Sequence, residues 1–138
     1  TDQSTTSAVL GDGGIYSSID DLAKWDAALY DERLLRRASL QQAFSAATAT
    51  PEPDVPHYGF GWRINGDALW HSGESIGFRN VIVRYPKQKL TVVVLSNRND
   101  PEPYALALQI AQAHAQHIVQ LQNRISEVNQ RIAAGALN

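Results

Sequence analysis

The alternation of apolar and polar positions divides the chain into a helical beginning, a middle of short strands and a long helical end. In "SSIDDLAKWDAALYD" the apolar positions Ile19, Leu22, Ala23, Trp25 and Leu29 recur near helical spacing behind Ser17 or Ser18 as N-cap. The pattern predicts a helix over 19–30. Asp20 and Asp21 fall in its first turn, where free N–H groups and the helix dipole favour acids. A second short helix is expected to start after a cap at Ser39, run through "LQQAFSA", and be broken by the three prolines of "TPEPDVP".

From His57 the period becomes that of strands. "YGFGWRI", "ALWHSG", "FRNVIVRYP" and "KLTVVVLSN" follow one another across "NGD", "ESIG" and "PKQ", and connections this short imply an antiparallel meander. The fold class expected is therefore α+β, an antiparallel sheet of about four strands with flanking helices. "VVVL" is apolar on both faces, which predicts a central strand covered on each side by helices.

After "NRNDPEP" the chain is expected to be helical to near its end, with Pro101 and Pro103 at the start and Gly135 at the finish. Its first part, "YALALQIAQAHAQ", is apolar enough to lie on a sheet. In its second part Ile118, Leu121, Ile125, Val128 and Ile132 recur at spacings of three and four, a two-heptad seam in an otherwise polar segment. Residues 118–138 are therefore read as a helical extension, a short coiled-coil or association segment that would build a homo-oligomer.

Composition narrows the partners. A chain of 138 residues fits one domain, and 12 basic against 14 acidic residues leave a charge of −2, which advertises neither nucleic acid nor an anionic membrane. The absence of cysteine excludes disulfides, thiol nucleophiles and cysteine-ligated metal. No apolar run approaches the roughly 20 residues of a membrane span, and "TDQSTTSAVLG" lacks the pattern of a signal peptide. The Ser-, Thr- and Gly-rich opening through "GDGG" reads as a loop or extended lead-in, without the lysine and spacing of a phosphate-binding loop. A chain that begins at Thr1 and holds no methionine is expected to be processed or cut from something longer.

The candidate chemistry centres on "LWHSGESIGF", 69–78. His71 has the side chain best suited to acid–base work near neutrality, although a histidine between Trp70 and Ser72 also fits a packed strand. Ser72 is not its nucleophilic partner, because neighbours on a strand point to opposite faces. Gly73 and Gly77 fit either a turn with positive φ or an edge strand that takes a ligand by main-chain hydrogen bonds. Trp25, Trp62 and Trp70 are expected in the core. Glu52, Asp54 and His57, and the pair His114 and His117, lack metal-ligand spacing, so no metal is expected.

The order "GDGGIYSSIDDLAKW", "YGFGW", "HSGESIGF", "VIVRYPKQKLTVVVLSN", "RNDPEPYALALQIAQ" resembles the C-terminal portion of the serine β-lactamase-related family, the class C β-lactamases, DD-peptidases and esterase-like hydrolases. The resemblance runs over about 11–117 and implies a β-lactamase/transpeptidase-like fold for 1–117. It sets "HSG" at the family's Lys-Thr-Gly position. His71 would then polarise the site and help proton transfer, and Ser72, Gly73 and Glu74 would bind substrate, with the Glu74 N–H as one oxyanion donor. It further implies a small-molecule or peptide-like amide, ester or lactam substrate, no cofactor, and a periplasmic or secreted setting.

The family's nucleophile lies in Ser-x-x-Lys, and no serine here is followed by lysine three residues on. Tyr16-Ser17-Ser18 matches Tyr-x-Ser by letter but caps a helix. The chain thus resembles the back half of a hydrolase, expected to be inactive alone and to leave apolar surface uncovered. The competing expectation is a non-catalytic interaction module that associates through its C-terminal helix.

Overall fold

A computed structural model describes residues 13–53, 55–75, 77–98 and 100–134. The lead-in through Asp12, Asp54 and the boundary expected at Gly135 lie outside these residues. Helix α1 (Ile19–Ala28) starts as its pattern predicts, with the Ser18 hydroxyl accepting from the Asp21 N–H at 3.2 Å. Helix α2 (Arg37–Ala43) begins two residues before the expected cap at Ser39, and its N-cap Arg36 makes no side-chain cap bond. Leu40 is buried and anchors the helix, and at its C-terminal end the Ala43 carbonyl accepts from the Phe60 N–H at 3.1 Å.

The sheet is antiparallel and runs in chain order. It consists of β1 (Thr48–Glu52), β2 (Val55–Tyr58), β3 (Arg63–Asn65), β4 (Ala68–Ser75), β5 (Phe78–Tyr85) and β6 (Leu90–Ser96). Six strands stand where about four were expected, for two reasons. The segment read as a helix breaker also folds into the β1–β2 hairpin. Pro51 sits on an edge strand there, and Pro56 lies between the paired Val55 and His57, where the register shifts. The segment "YGFGWRI" divides as well, ending β2 at Tyr58 and opening β3 at Arg63. Gly59 makes that division, because a Cβ there would lie 2.3 Å from the Ala43 carbonyl; only a glycine lets the turn seat on the end of α2.

Among the described residues strand β6, expected to be central, is an edge strand of this sheet. Its two apolar faces are explained by two helices, since both α1 and α3 (Pro103–Ala133) contact it. At 31 residues α3 is about 46 Å long. Pro103, Ala107 and Ala111 are buried, and every described residue of the helix beyond Ala111 is exposed.

Two cores result. Val55, Trp70, Val81, Val83 and Val92 pack with Ala107 and Ala111, while Leu29, Leu40, Trp62, Ile64 and Leu69 form the second cluster on the other face. That second face also buries Arg84, whose Nε donates to the Asp26 carboxylate and whose guanidinium lies 5.0–5.5 Å from the rings of Tyr30, Phe44 and Trp62. Asp26 also accepts from the Thr91 hydroxyl at 2.9 Å. Trp62 and Trp70 are core residues, as expected, whereas Trp25 stays 40% exposed and stacks on Trp62 at 5.9 Å.

Candidate active-site strand

Strand β4 outruns β3. Among the described residues the pairing of β3 reaches only Ala68, Leu69 and Trp70, while on the other side β4 pairs with β5 all the way to Ser75. From His71 onward one edge of β4 is therefore open. The turn between β3 and β4 closes on the pair Asn65↔Ala68 with two residues between them, which makes that pair the hydrogen-bonded one of a tight hairpin. Alternation then directs the N–H and C=O of Trp70 toward β3, and those of Ser72 and Glu74 toward the open edge.

Side chains alternate in the same way. Ser72 lies on the face of Trp70, where its hydroxyl accepts from Arg63 Nη1 at 3.0 Å. The Arg63 guanidinium covers the Trp70 ring at 4.7 Å, and Trp70 stacks on Tyr104 at 3.9 Å. His71 lies on the opposite face, half-buried, with Nε2 2.9 Å from Tyr58 Oη and Nδ1 2.7 Å from the Ser72 carbonyl oxygen.

These contacts assign the tautomer. A carbonyl oxygen only accepts, so Nδ1 carries the proton and donates it to Ser72, which leaves Nε2 with a lone pair that receives the Tyr58 hydroxyl proton. Burial pushes the pKa of His71 below its ordinary 6.5, the positive charge of Arg63 adds to the effect, and the Ser72 carbonyl partly opposes it. The imidazole is thus a neutral base near neutral pH.

Gly73 and Glu74 are exposed on the same strand. A Cβ at Gly73 would meet nothing within 4 Å, and the Glu74 carboxylate pairs with Arg79 directly across the hairpin at 2.9 Å. Gly77 takes φ +81 in the turn, the positive value expected for one of the two glycines. The structure therefore unites the His71 ring with the Ser72 backbone and sends the Ser72 hydroxyl to the other face. Two residues not singled out from the sequence, Tyr58 and Arg63, complete the surroundings of His71. The signal for Tyr58 was present in "YGFGW", hidden by reading that segment as one strand.

A cleft of about 520 Å³ lies elsewhere, against Leu29, Tyr30, Leu40, Phe44 and Arg84. Among the described residues no three His, Asp or Glu side chains come together as a metal-holding group, and no helix is long and apolar enough to cross a membrane.

Comparison with known proteins matches residues 1–117 to the Beta-lactamase family model. Over 111 residues the chain is 32% identical to Penicillin-binding protein 4* of Bacillus subtilis (strain 168), covering 77% of this chain and 24% of that protein. Over 112 residues it is 29% identical to D-aminopeptidase of Gluconobacter oxydans (strain 621H), covering 75% of this chain and 20% of that protein. The chain thus spans about a quarter or less of the length of these relatives. With the match reaching from the first residue to the part of α3 that lies on the sheet, the chain belongs to the beta-lactamase family.

Proposed function

We propose that the chain is the C-terminal portion of a serine hydrolase that works by acyl-enzyme formation on an amide, ester or lactam. The observation that carries this reading is the neutral His71, held in one tautomer beside a strand edge that is open to a ligand. An extended, peptide-like substrate can add to that edge through main-chain hydrogen bonds, with no side chain at Gly73 to obstruct it. The outward N–H of Glu74 is then available to the oxygen on which charge develops, as one half of an oxyanion hole. His71 accepts or returns a proton through Nε2 once Tyr58 is displaced from it, and the Ser72 hydroxyl, oriented by Arg63, binds substrate. No cofactor is required for this chemistry.

The nucleophile comes from another part of the complete domain. No serine of the chain has a lysine three residues on, and Ser72 faces away from His71. The chain alone is therefore expected to turn over no substrate. The names of the two relatives, a penicillin-binding protein and a D-aminopeptidase, support lactam or amide substrates, and the former favours a periplasmic or secreted setting.

The test is covalent labelling of the complete protein with fluorescent penicillin and with a fluorophosphonate. The label is expected on a serine outside these 138 residues, with a rate lowered about 10²- to 10⁴-fold by His71→Asn. An unlabelled complete protein, beside a labelled active relative, overturns the hydrolase reading. That outcome would favour the second reading, a non-catalytic interaction module, for which the exposed apolar seam of α3 is the supporting observation.

A further inference from the structure

We infer that the cleft between the end of α1, helix α2 and strand β5 binds a small carboxylate with an apolar body, gripped by the terminal amines of Arg84. At about 520 Å³ the cleft has the size that takes such a molecule. Leu29, Leu40 and Phe44 give it apolar walls. Arg84 lies at its floor, because Tyr30 and Phe44, which line the cleft, also stand 5.0 and 5.3 Å from the Arg84 guanidinium. The guanidinium is only partly used. Its Nε donates to Asp26, but Nη1 and Nη2 are buried with no hydrogen-bond partner among the described residues. A guanidinium carries its N–H donors in a planar fork, so both donors of each terminal amine remain unspent. The surrounding rings attract the cation through their π faces and give those donors no bond. Donors buried without acceptors are costly, and the two-oxygen edge of a carboxylate matches a pair of terminal amines. The Arg84 side chain is only 1% exposed, so Tyr30, 38% exposed, is the side chain whose rotation admits the ligand.

Charge decides between a carboxylate and a neutral acceptor. Asp26 already cancels Arg84 once, and Asp31 and Glu32 at the cleft would repel an anion. Asp31, however, is spent on Arg33 at 2.6 Å. The pair of Glu32 with Arg37 is 3.8 Å long, and Arg37 makes no hydrogen bond among the described residues, so this second cleft cation can turn to the ligand. An incoming carboxylate thus meets two arginines, one committed to Asp26 through Nε alone and one loosely held. A neutral carbonyl offers one oxygen to two amines and gains nothing from Arg37, so the carboxylate is favoured. The site uses no residue of β4 and stands apart from the hydrolase reading.

Benzoate and its uncharged analogue benzyl alcohol are the probes, titrated into the 138-residue chain and into the complete protein, with nitrogen-15 NMR of the arginine side chains as readout. In both proteins benzoate should move the Arg84 Nη signals to saturation and bind about 10- to 100-fold more tightly than benzyl alcohol, as fits hydrogen bonds to a charged group. The double variant Asp26→Ala/Arg84→Met, which leaves no buried charge, should lose that preference. Arg37→Gln, at an exposed position and so without risk to the core, should weaken benzoate about two- to fivefold and spare benzyl alcohol. Five results would each overturn the inference: no saturable shift of Arg84, equal affinity for the two probes, a preference that survives the loss of Arg84, benzoate affinity unchanged by Arg37→Gln, or binding to the 138-residue chain that disappears in the complete protein, where the rest of the domain would then fill the cleft.

Discussion

The two faces of the sheet bury their surface in different ways. Against α3, Trp70, Val81, Val83 and Val92 meet the small Ala107 and Ala111, so the helix lies close on an uncharged layer in which Val83 and Ala107 have no exposed surface and the Trp70 Nε1 is buried without a hydrogen-bond partner among the described residues. The other face buries a charge, Arg84, neutralised by Asp26 and wrapped by aromatic rings, under a cover that leaves Ile19 and Trp25 substantially exposed. His71, two residues beyond Leu69, belongs to this second face. The closed face is covered by α3. The second face depends on a charge pair, retains uncovered apolar surface and carries the candidate base, as fits a chain that spans about a quarter or less of its relatives.

The largest effect should come from breaking the charge pair on the second face. Asp26→Ala leaves Arg84 buried without its counter-charge and should cost about 3–5 kcal/mol in urea unfolding. The double variant Asp26→Ala/Arg84→Met should recover most of that loss, because no buried charge remains. On the closed face the failure is steric: Ala107→Leu forces extra carbons between helix and sheet and should cost about 1–3 kcal/mol by the same measurement. Ser18→Ala removes the cap of α1, the thin cover of the second face, and should cost about 1 kcal/mol, read as loss of helix and earlier unfolding.

The smallest change in stability concerns protonation. Arg63→Gln should raise the pKa of His71 toward its ordinary value, followed by proton NMR titration, because one of the two causes holding it down is removed. The sign for stability follows. The unfolded chain takes up the histidine proton near 6.5 and the folded chain only at lower pH, so the contribution of neutral His71 is complete above 6.5 and is lost as pH falls through the folded value. Arg63→Gln should narrow that window.

What could be read from the sequence follows the range of the interaction. The Ser18 cap, the β4–β5–β6 meander and the stripe of α3 depend on neighbours a few residues apart, and the sequence pattern shows them. The split of "YGFGWRI" depends on Gly59 meeting the carbonyl of Ala43, and the Arg84–Asp26 pair joins residues 58 apart. No local period encodes either contact. The same limit explains the site: His71 was visible by residue type and by its place in an ordered set of motifs, whereas Tyr58 reaches it only because the β2–β3 turn folds back. Strand β6 is a further case, since apolarity on both faces reports two covering helices and leaves its position in the sheet open.

The central claim is that β4 presents His71 as a neutral base with a defined tautomer at an open strand edge. Nitrogen-15 NMR of the imidazole near neutral pH tests it most directly, in the wild-type chain and in Tyr58→Phe. The geometry predicts a protonated Nδ1 and a bare Nε2 in both, with the titration moved to higher pH in Tyr58→Phe because a donor to the neutral ring is lost. A proton on Nε2 of the neutral ring, or an imidazolium near neutral pH, would contradict it.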